Sequence, residues 1–146
     1  MQRLPLSISE QNMVVKHIQG GKDKFYLLVA VMVMPDHVHI ILMPFKGSTL
    51  TKVMKGVKGV SSHKINLTRK NKNRNWQDES FDRIIRHRKE LIEKVNYMFK
   101  NPIKAGLTVN PWEYHGWYYN ENWEKELNEL DINWPGNTNG LYLHIL

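Results

Sequence analysis

The chain has 146 residues, of which 41% are hydrophobic, and it contains no cysteine. This length and composition favour one domain with its own core, and the lack of cysteine excludes disulfides and thiolate metal sites. The longest apolar run is too short to cross a membrane and no signal-peptide pattern follows Met1, so a soluble cytoplasmic protein is expected.

The formal net charge of +7 is concentrated in one stretch. Residues 46–75 hold nine of the basic residues and none of the acidic ones. This distribution predicts a polyanionic partner, and nucleic acid is the favoured one. A solvated lysine-rich face that binds nothing is the alternative from charge alone. The candidate DNA-binding residues are Lys52, Lys55, Lys58, Lys64, Arg69, Lys70, Lys72 and Arg74.

Two predicted helices are marked by their start and stop signals. Ser7 and Glu10 have the spacing of a capping box, and Gly20-Gly21 indicates the end of that helix. Ser48 is placed to cap a second helix that extends to about Leu67, because apolar residues recur there at the helical period.

The predicted strands come from residues 25–34, 37–43 and 76–85. The first two are separated by the turn signal Pro35-Asp36, so they predict an antiparallel hairpin. A third helix is predicted from Arg88 to Asn101, and Pro102 is expected to close it. Elements in this order predict an α+β fold in which helices cover one face of an antiparallel sheet.

His37 and His39 interrupt an otherwise apolar strand. Side chains two residues apart on a strand point the same way, with Cα atoms about 6.5–7 Å apart, so both imidazoles can converge on one cation. We expect Val38 to face the opposite side, toward the core. Exposed or structurally hydrogen-bonded histidines are the alternative interpretation.

Tyr97 and Asn101 are four residues apart in the third predicted helix. They therefore share one face, about 6 Å apart along the helix axis. Asn101 offers a carbonyl oxygen to a metal, and Tyr97 a hydroxyl beside it. A core tyrosine followed by an ordinary helix end is the alternative.

Three segments occur in the order found in a known family: VMPDHVHIILMP, WQDESFDRIIRHRKEL and YMFKNPIKAGL. Together they resemble the single-tyrosine HUH transposases, in particular the REP-associated tyrosine transposase branch. The resemblance extends from about Arg3 to Trp117. It implies one HUH transposase-like domain over residues 1–146 with a ferredoxin-like sheet, a basic DNA-binding segment at 46–75 and a C-terminal extension at 118–146.

The resemblance also implies a chemistry. Such proteins cleave and rejoin single-stranded, hairpin-forming DNA through a covalent 5′-phosphotyrosine intermediate. By position, Tyr97 would be the nucleophile, and His37, His39 and Asn101 would hold a divalent metal, Mg²⁺ or Mn²⁺. A homodimer is a further expectation, because dimers occur in parts of the family.

Two other functions stay open. The chain could be a nucleic-acid-binding module without catalysis, whose histidines serve packing or a structural ion. It could also be a DNA-hairpin-binding protein domesticated from a transposase. A DNA adduct that survives denaturation distinguishes the enzyme from both.

One strand that the family places in the middle of the sheet, before the position of RLPLS, has no counterpart in this sequence. We expect LYLHIL, residues 141–146, to fill that place after the turn-prone PGNTNG, in its own subunit or swapped into a partner. An inactive remnant is the alternative.

An aromatic cluster follows the third predicted helix. Bases of a single strand can stack on such rings, but closing a small core or a subunit contact is the favoured interpretation. Tyr118 and Tyr119 lie outside the helix that matches the family, so Tyr97 is preferred over them as the candidate nucleophile. The cluster comprises Trp112, Tyr114, Trp117, Tyr118, Tyr119 and Trp123.

Overall fold

The computed structural model describes residues 4–76, 81–130 and 140–146. The three predicted helices and the predicted hairpin are confirmed, and a short strand and a short helix follow them. In chain order the elements are α1 (Ile8–Gly20), β1 (Tyr26–Val33), β2 (Val38–Pro44), α2 (Leu50–Arg69), β3 (Phe81–Ile85), α3 (Arg88–Lys104), β4 (Trp117–Tyr119), α4 (Trp123–Glu129) and β5 (Leu141–Ile145), with one 3₁₀ turn at Pro111–Glu113.

The five strands form one antiparallel sheet in the order β3-β5-β2-β1-β4. The predicted α+β class is therefore confirmed. The C-terminal strand β5 lies between β2 and β3 of its own chain, as expected for LYLHIL. Residues 131–139, which include most of the turn-prone PGNTNG, lie outside the described residues.

Helices cover both faces of the sheet. Every residue of β1 and β2 is buried, because α1 and α2 pack on one face and α3 and α4 pack on the other. The expectation that helices cover a single face is wrong in this respect. A strand that is apolar at successive positions must bury both of its faces, and Tyr26–Val33 is such a strand.

The start of α1 is as predicted. The Ser7 hydroxyl accepts a hydrogen bond from the Glu10 backbone N–H (3.1 Å), and the Glu10 carboxylate accepts one from the Ser7 N–H (2.9 Å). The cap of α2 is Thr49 rather than Ser48, since the Thr49 hydroxyl accepts the Lys52 N–H at 3.2 Å. The prediction erred by one residue because both side chains are good caps.

The ends of α2 and α3 extend beyond the predicted limits. Helix α2 reaches Arg69, and Lys70 follows it in the left-handed conformation with φ 57°. Helix α3 continues through Pro102 to Lys104, so Pro102 does not close it. A proline in the last turn removes a single hydrogen bond, and the buried Pro102 ring packs in return.

The polar loop after α2 folds back onto that helix. The Asn75 amide donates to the Asn66 side-chain oxygen (2.8 Å), and the Trp76 indole N–H donates to the Ser61 hydroxyl (2.9 Å). Both Asn75 and Trp76 are buried. Within the described residues the predicted strand at 76–85 corresponds to β3, and residues 77–80 lie outside the described part of the chain.

None of the helices within the described ranges is both long and apolar enough to cross a bilayer.

Candidate active site

The two histidines share one side of β2, as predicted. Their ring centroids are 4.8 Å apart. Val38, which lies between them, belongs to the core cluster under α1 and α2. The alternation of the strand therefore turns both imidazoles toward the face that α3 covers.

His39 is almost fully enclosed, with 4% of its surface exposed. In the sheet it is paired with Met32 of β1 and Ile145 of β5. Burial, together with the neighbouring His37, lowers the pKa of His39 to about 4, against a smaller opposing effect of Asp36. The imidazole is therefore neutral near pH 7, which is the form that binds metals.

Helix α3 brings Tyr97 and Asn101 to the same place. The Asn101 side-chain nitrogen lies 3.3 Å from Nε2 of His39, and turning the amide over would put its carbonyl oxygen there instead. The ring centroids of Tyr97 and His39 are 6.1 Å apart. Tyr97 is 50% exposed, so its phenol is accessible to a large substrate rather than buried in the core.

Lys104 adds a positive charge to this cluster. Its ammonium lies 5.1 Å from the centroid of the Tyr97 ring. The two residues are seven apart, or two helical turns, and side chains of a helix lean toward its N-terminus, which brings the ammonium back over the ring. No motif in the sequence points to Lys104, although its spacing of seven residues after Tyr97 places both side chains on the same face of the helix.

The donor atoms of the cluster fit a divalent cation. Within the described residues no group of three or more His, Cys, Asp or Glu side chains could hold a metal, so the protein donors here are two imidazoles and one amide. The Nδ1 atom of His39 is buried without a hydrogen-bond partner in this part of the chain. Two imidazole nitrogens and one amide oxygen admit Mn²⁺ more readily than Mg²⁺, which prefers oxygen ligands, and they leave positions open for water or phosphate.

A basic cleft lies on the opposite face of the sheet, between α1 and α2. Its volume is about 1180 Å³. Lys52 and Lys64 of the predicted DNA-binding set line it, together with Lys16 and Lys24 from the first part of the chain. No carboxylate lines the cleft within the described residues. Lys16 of α1 and Lys24, which follows that helix, carried no recognisable signal in the sequence, because only the packing of this part of the chain against α2 brings them to the cleft.

Arg69 differs from the other basic residues. Its guanidinium donates to both carboxylate oxygens of Glu10, at 2.6 and 2.7 Å, and to the Pro5 carbonyl at 3.0 Å. These bonds fix the end of α2 to the start of α1. The remaining predicted residues are partly or fully exposed; they are Lys55, Lys58, Lys70, Lys72 and Arg74.

Most of the aromatic cluster contributes to the core. Tyr114 and Trp123 are buried, whereas Trp112 is 71% exposed. The Tyr119 hydroxyl accepts a hydrogen bond from the Trp123 indole at 3.1 Å. Tyr118 and Tyr119 lie on β4, at the edge of the sheet beyond β1, and they belong to no cluster with the histidines.

The five-stranded antiparallel sheet with helices on both faces defines an α+β protein whose fold is consistent with that of the single-tyrosine transposases. The family described as "Transposase IS200 like" matches residues 10–96, which is more than half of the chain. The chain belongs to the IS200-like transposase family. The matched range includes both histidines and ends immediately before Tyr97.

One curated relative supports the same family. A protein of Haemophilus influenzae (strain ATCC 51907 / DSM 11121 / KW20 / Rd), described as "Putative REP-associated tyrosine transposase", is 25% identical over 119 residues. The match covers 65% of this chain and 65% of the relative, which is less than two thirds of the relative's length. No solved structure matches the chain.

Proposed function

We propose that this protein cuts and rejoins single-stranded, hairpin-forming DNA, with Tyr97 as the nucleophile. The observation that carries the proposal is the convergence of His37, His39, Tyr97 and Asn101 from two separate elements. A half-exposed phenol beside two imidazoles and an amide combines a nucleophile that stays attached to its product with a site for a cation. Membership of the transposase family agrees with this chemistry.

His37, His39 and Asn101 would hold Mn²⁺ or Mg²⁺. When bound, the cation would polarise a non-bridging phosphate oxygen and stabilise the charge that develops on it. The chain's own residues prepare this site. Burial keeps His39 neutral and ready to ligate, and α3 sets Asn101 against Nε2 of His39.

Tyr97 would form the covalent intermediate. Its phenol oxygen attacks the scissile phosphorus and loses its proton, the bond from phosphorus to the 3′ oxygen breaks, and that oxygen leaves as a hydroxyl. The product is a 5′-phosphotyrosine with a free 3′-hydroxyl end. Attack by another 3′-hydroxyl reverses these steps and releases Tyr97, so bond energy is conserved and no nucleotide is consumed. The Lys104 ammonium would offset negative charge on the phosphate.

The cleft between α1 and α2 would hold another part of the same DNA. Lys16, Lys24, Lys52 and Lys64 line it together with apolar side chains such as Val57 and Val60, so the cleft suits a strand with charged phosphates and apolar bases. Lys55, Lys58, Lys70, Lys72 and Arg74 would add outer phosphate contacts. Arg69 is already paired with Glu10, so we leave it out of this set.

An adduct assay tests the nucleophile. The protein is incubated with a labelled hairpin oligonucleotide and Mn²⁺, then denatured, and a covalent adduct is separated by size. Tyr97→Phe removes only the hydroxyl of a half-exposed side chain, so we expect no adduct and nearly unchanged binding. The loss should be at least about 10⁴-fold, because no other group replaces a missing nucleophile.

Tyr118→Phe is the matched control, because it makes the same change on β4, outside the cluster. We expect a normal adduct from it. An adduct that persists in Tyr97→Phe would refute the assignment of Tyr97. Tight hairpin binding with no adduct from the wild-type protein would instead support a non-catalytic or domesticated hairpin-binding protein.

A further inference from the structure

We propose that Asp36 is a positioning residue for the metal site, which orients the His37 ring and sets which of its nitrogens carries the proton. This inference rests on the proposed function, since it concerns a ligand of the proposed cation. Its starting point is one contact: the Asp36 carboxylate oxygen Oδ1 lies 2.7 Å from Nδ1 of His37.

The contact determines the chemistry of the other ring nitrogen. A carboxylate can only accept a hydrogen bond, so Nδ1 of His37 must be the protonated nitrogen. In a neutral imidazole Nε2 then keeps its lone pair. Asp36 thereby selects the tautomer in which His37 presents Nε2 to a cation, as carboxylates commonly do for histidines that bind metals.

The two histidines need different support. His39 is 4% exposed and is held by the sheet and α3 around it. The side chain of His37 is 33% exposed and lies just before β2 begins, so packing restrains its ring far less. The hydrogen bond that His37 donates to the neighbouring carboxylate supplies the restraint that burial supplies for His39.

The backbone holds Asp36 in place. The turn before β2 is closed by a hydrogen bond from the Met34 N–H to the His37 carbonyl (2.8 Å), and the Leu6 N–H donates to the Pro35 carbonyl (2.7 Å). The Asp36 side chain itself is 77% exposed. It makes no contribution to the core, and its replacement should therefore leave the fold intact.

The test measures Mn²⁺ binding to the metal-free protein by calorimetry, without DNA. Asp36→Ala should weaken Mn²⁺ binding about 10- to 100-fold, the usual effect of losing a partner of a metal-bound histidine. Glu129→Gln, which removes an exposed carboxylate at the end of α4, is the control and should bind Mn²⁺ like the wild type. Unchanged affinity in Asp36→Ala would overturn the proposal.

A second measurement reads the tautomer directly. Two-dimensional ¹H–¹⁵N NMR of the metal-free protein at pH 8 should show His37 protonated on Nδ1 in the wild type, and redistributed toward Nε2 in Asp36→Ala. The same tautomer in both proteins would overturn the proposal. If the wild type binds no Mn²⁺, the metal site of the proposed function fails, while the tautomer shift still decides the role of Asp36.

Asp36→Asn separates orientation from charge. The asparagine oxygen can still accept the Nδ1 hydrogen bond, but the negative charge near the cation is gone. We expect Asp36→Asn to keep the tautomer and to retain more Mn²⁺ affinity than Asp36→Ala. If it keeps the tautomer yet loses as much affinity as Asp36→Ala, charge alone explains the effect, and the positioning role is refuted.

Discussion

At the scale of single residues, the site combines groups with very different environments. His39 is enclosed and neutral, whereas Tyr97 is half-exposed. These environments suit the proposed strand-cleaving site, because a metal ligand must be rigid while DNA must reach the attacking oxygen. The sequence predicted both residues as candidates, but their exposure depended on how α3 packs.

His144 shows the effect of burial on a second histidine, one that faces away from the proposed site. It is 2% exposed and contacts Asp82 on β3 through Nδ1. Burial lowers the pKa of His144 below its ordinary value of 6.5, Asp82 opposes that shift, and Lys58 of α2 adds to it. Folded His144 therefore resists protonation more than the unfolded chain does.

This environment predicts a pH dependence of stability. For a histidine whose pKa is lowered by folding, its contribution is complete above about pH 6.5 and is lost as the pH falls through the folded pKa. We expect the free energy of unfolding to decrease from pH 7 to pH 5, with a smaller decrease in His144→Gln. Urea unfolding at several pH values measures both slopes. Equal slopes would show that His144 does not titrate in this way.

At the scale of secondary structure, the strand β5 completes the sheet beside the histidine-bearing strand. It pairs with β2 from His39 to Leu42 and with all of β3. Without β5, strand β2 would leave a row of backbone groups unpaired in the interior, which is costly. The family resemblance predicted that LYLHIL would fill a place in the sheet, and the structure shows that it pairs there with β2 and β3.

Leu143→Ala tests the insertion of β5. Leu143 is 4% exposed and packs in the cluster under α3, so we expect the substitution to cost about 2–5 kcal/mol of unfolding free energy. Ile84→Ala on β3 is the control, because Ile84 is 43% exposed and its truncation should cost less than about 1 kcal/mol. Chemical denaturation measures both. A neutral Leu143→Ala would mean that β5 is not seated in the sheet.

At the scale of the whole molecule, the sheet separates two candidate DNA-contacting regions. The proposed catalytic cluster lies under α3 on one face, and the basic cleft lies between α1 and α2 on the other. A DNA substrate that contacts both must extend around the domain. The charge of residues 46–75 predicted a nucleic-acid partner, but it did not predict that Lys16 and Lys24 would line the same cleft.

Two glycines of α2 provide a matched test of the cleft. Gly56 lines the cleft and Gly59 does not, and a Cβ added at either one would meet no atom within 4 Å. Gly56→Glu should weaken hairpin binding about fivefold or more, since a carboxylate near the phosphates costs about 1 kcal/mol. Gly59→Glu changes the net charge equally but lies outside the cleft, beside the proposed outer contacts only, so it should weaken binding clearly less. Equal weakening, measured by fluorescence anisotropy, would refute the cleft as the DNA site.

The sequence by itself determined the local elements and predicted the candidate residues of the site. Capping residues, the apolar strands and the spacing of His37, His39, Tyr97 and Asn101 are local patterns, and local patterns depend on backbone geometry that repeats over a few residues. The start of α2 was misplaced by one residue because Ser48 and Thr49 are both good caps. The end of α3 was misplaced by three residues because the last turn of the helix tolerates Pro102 and continues to Lys104.

Tertiary structure alone decided which elements meet. Helix packing on both faces of the sheet, the ion pair of Arg69 with Glu10 and the cleft between α1 and α2 all depend on contacts between residues far apart in the chain. The family resemblance predicted a place in the sheet for LYLHIL, but the strands that β5 pairs with were decided by such contacts as well. Such contacts are selected by the free energy of burying the whole core, and no short stretch of sequence contains that information.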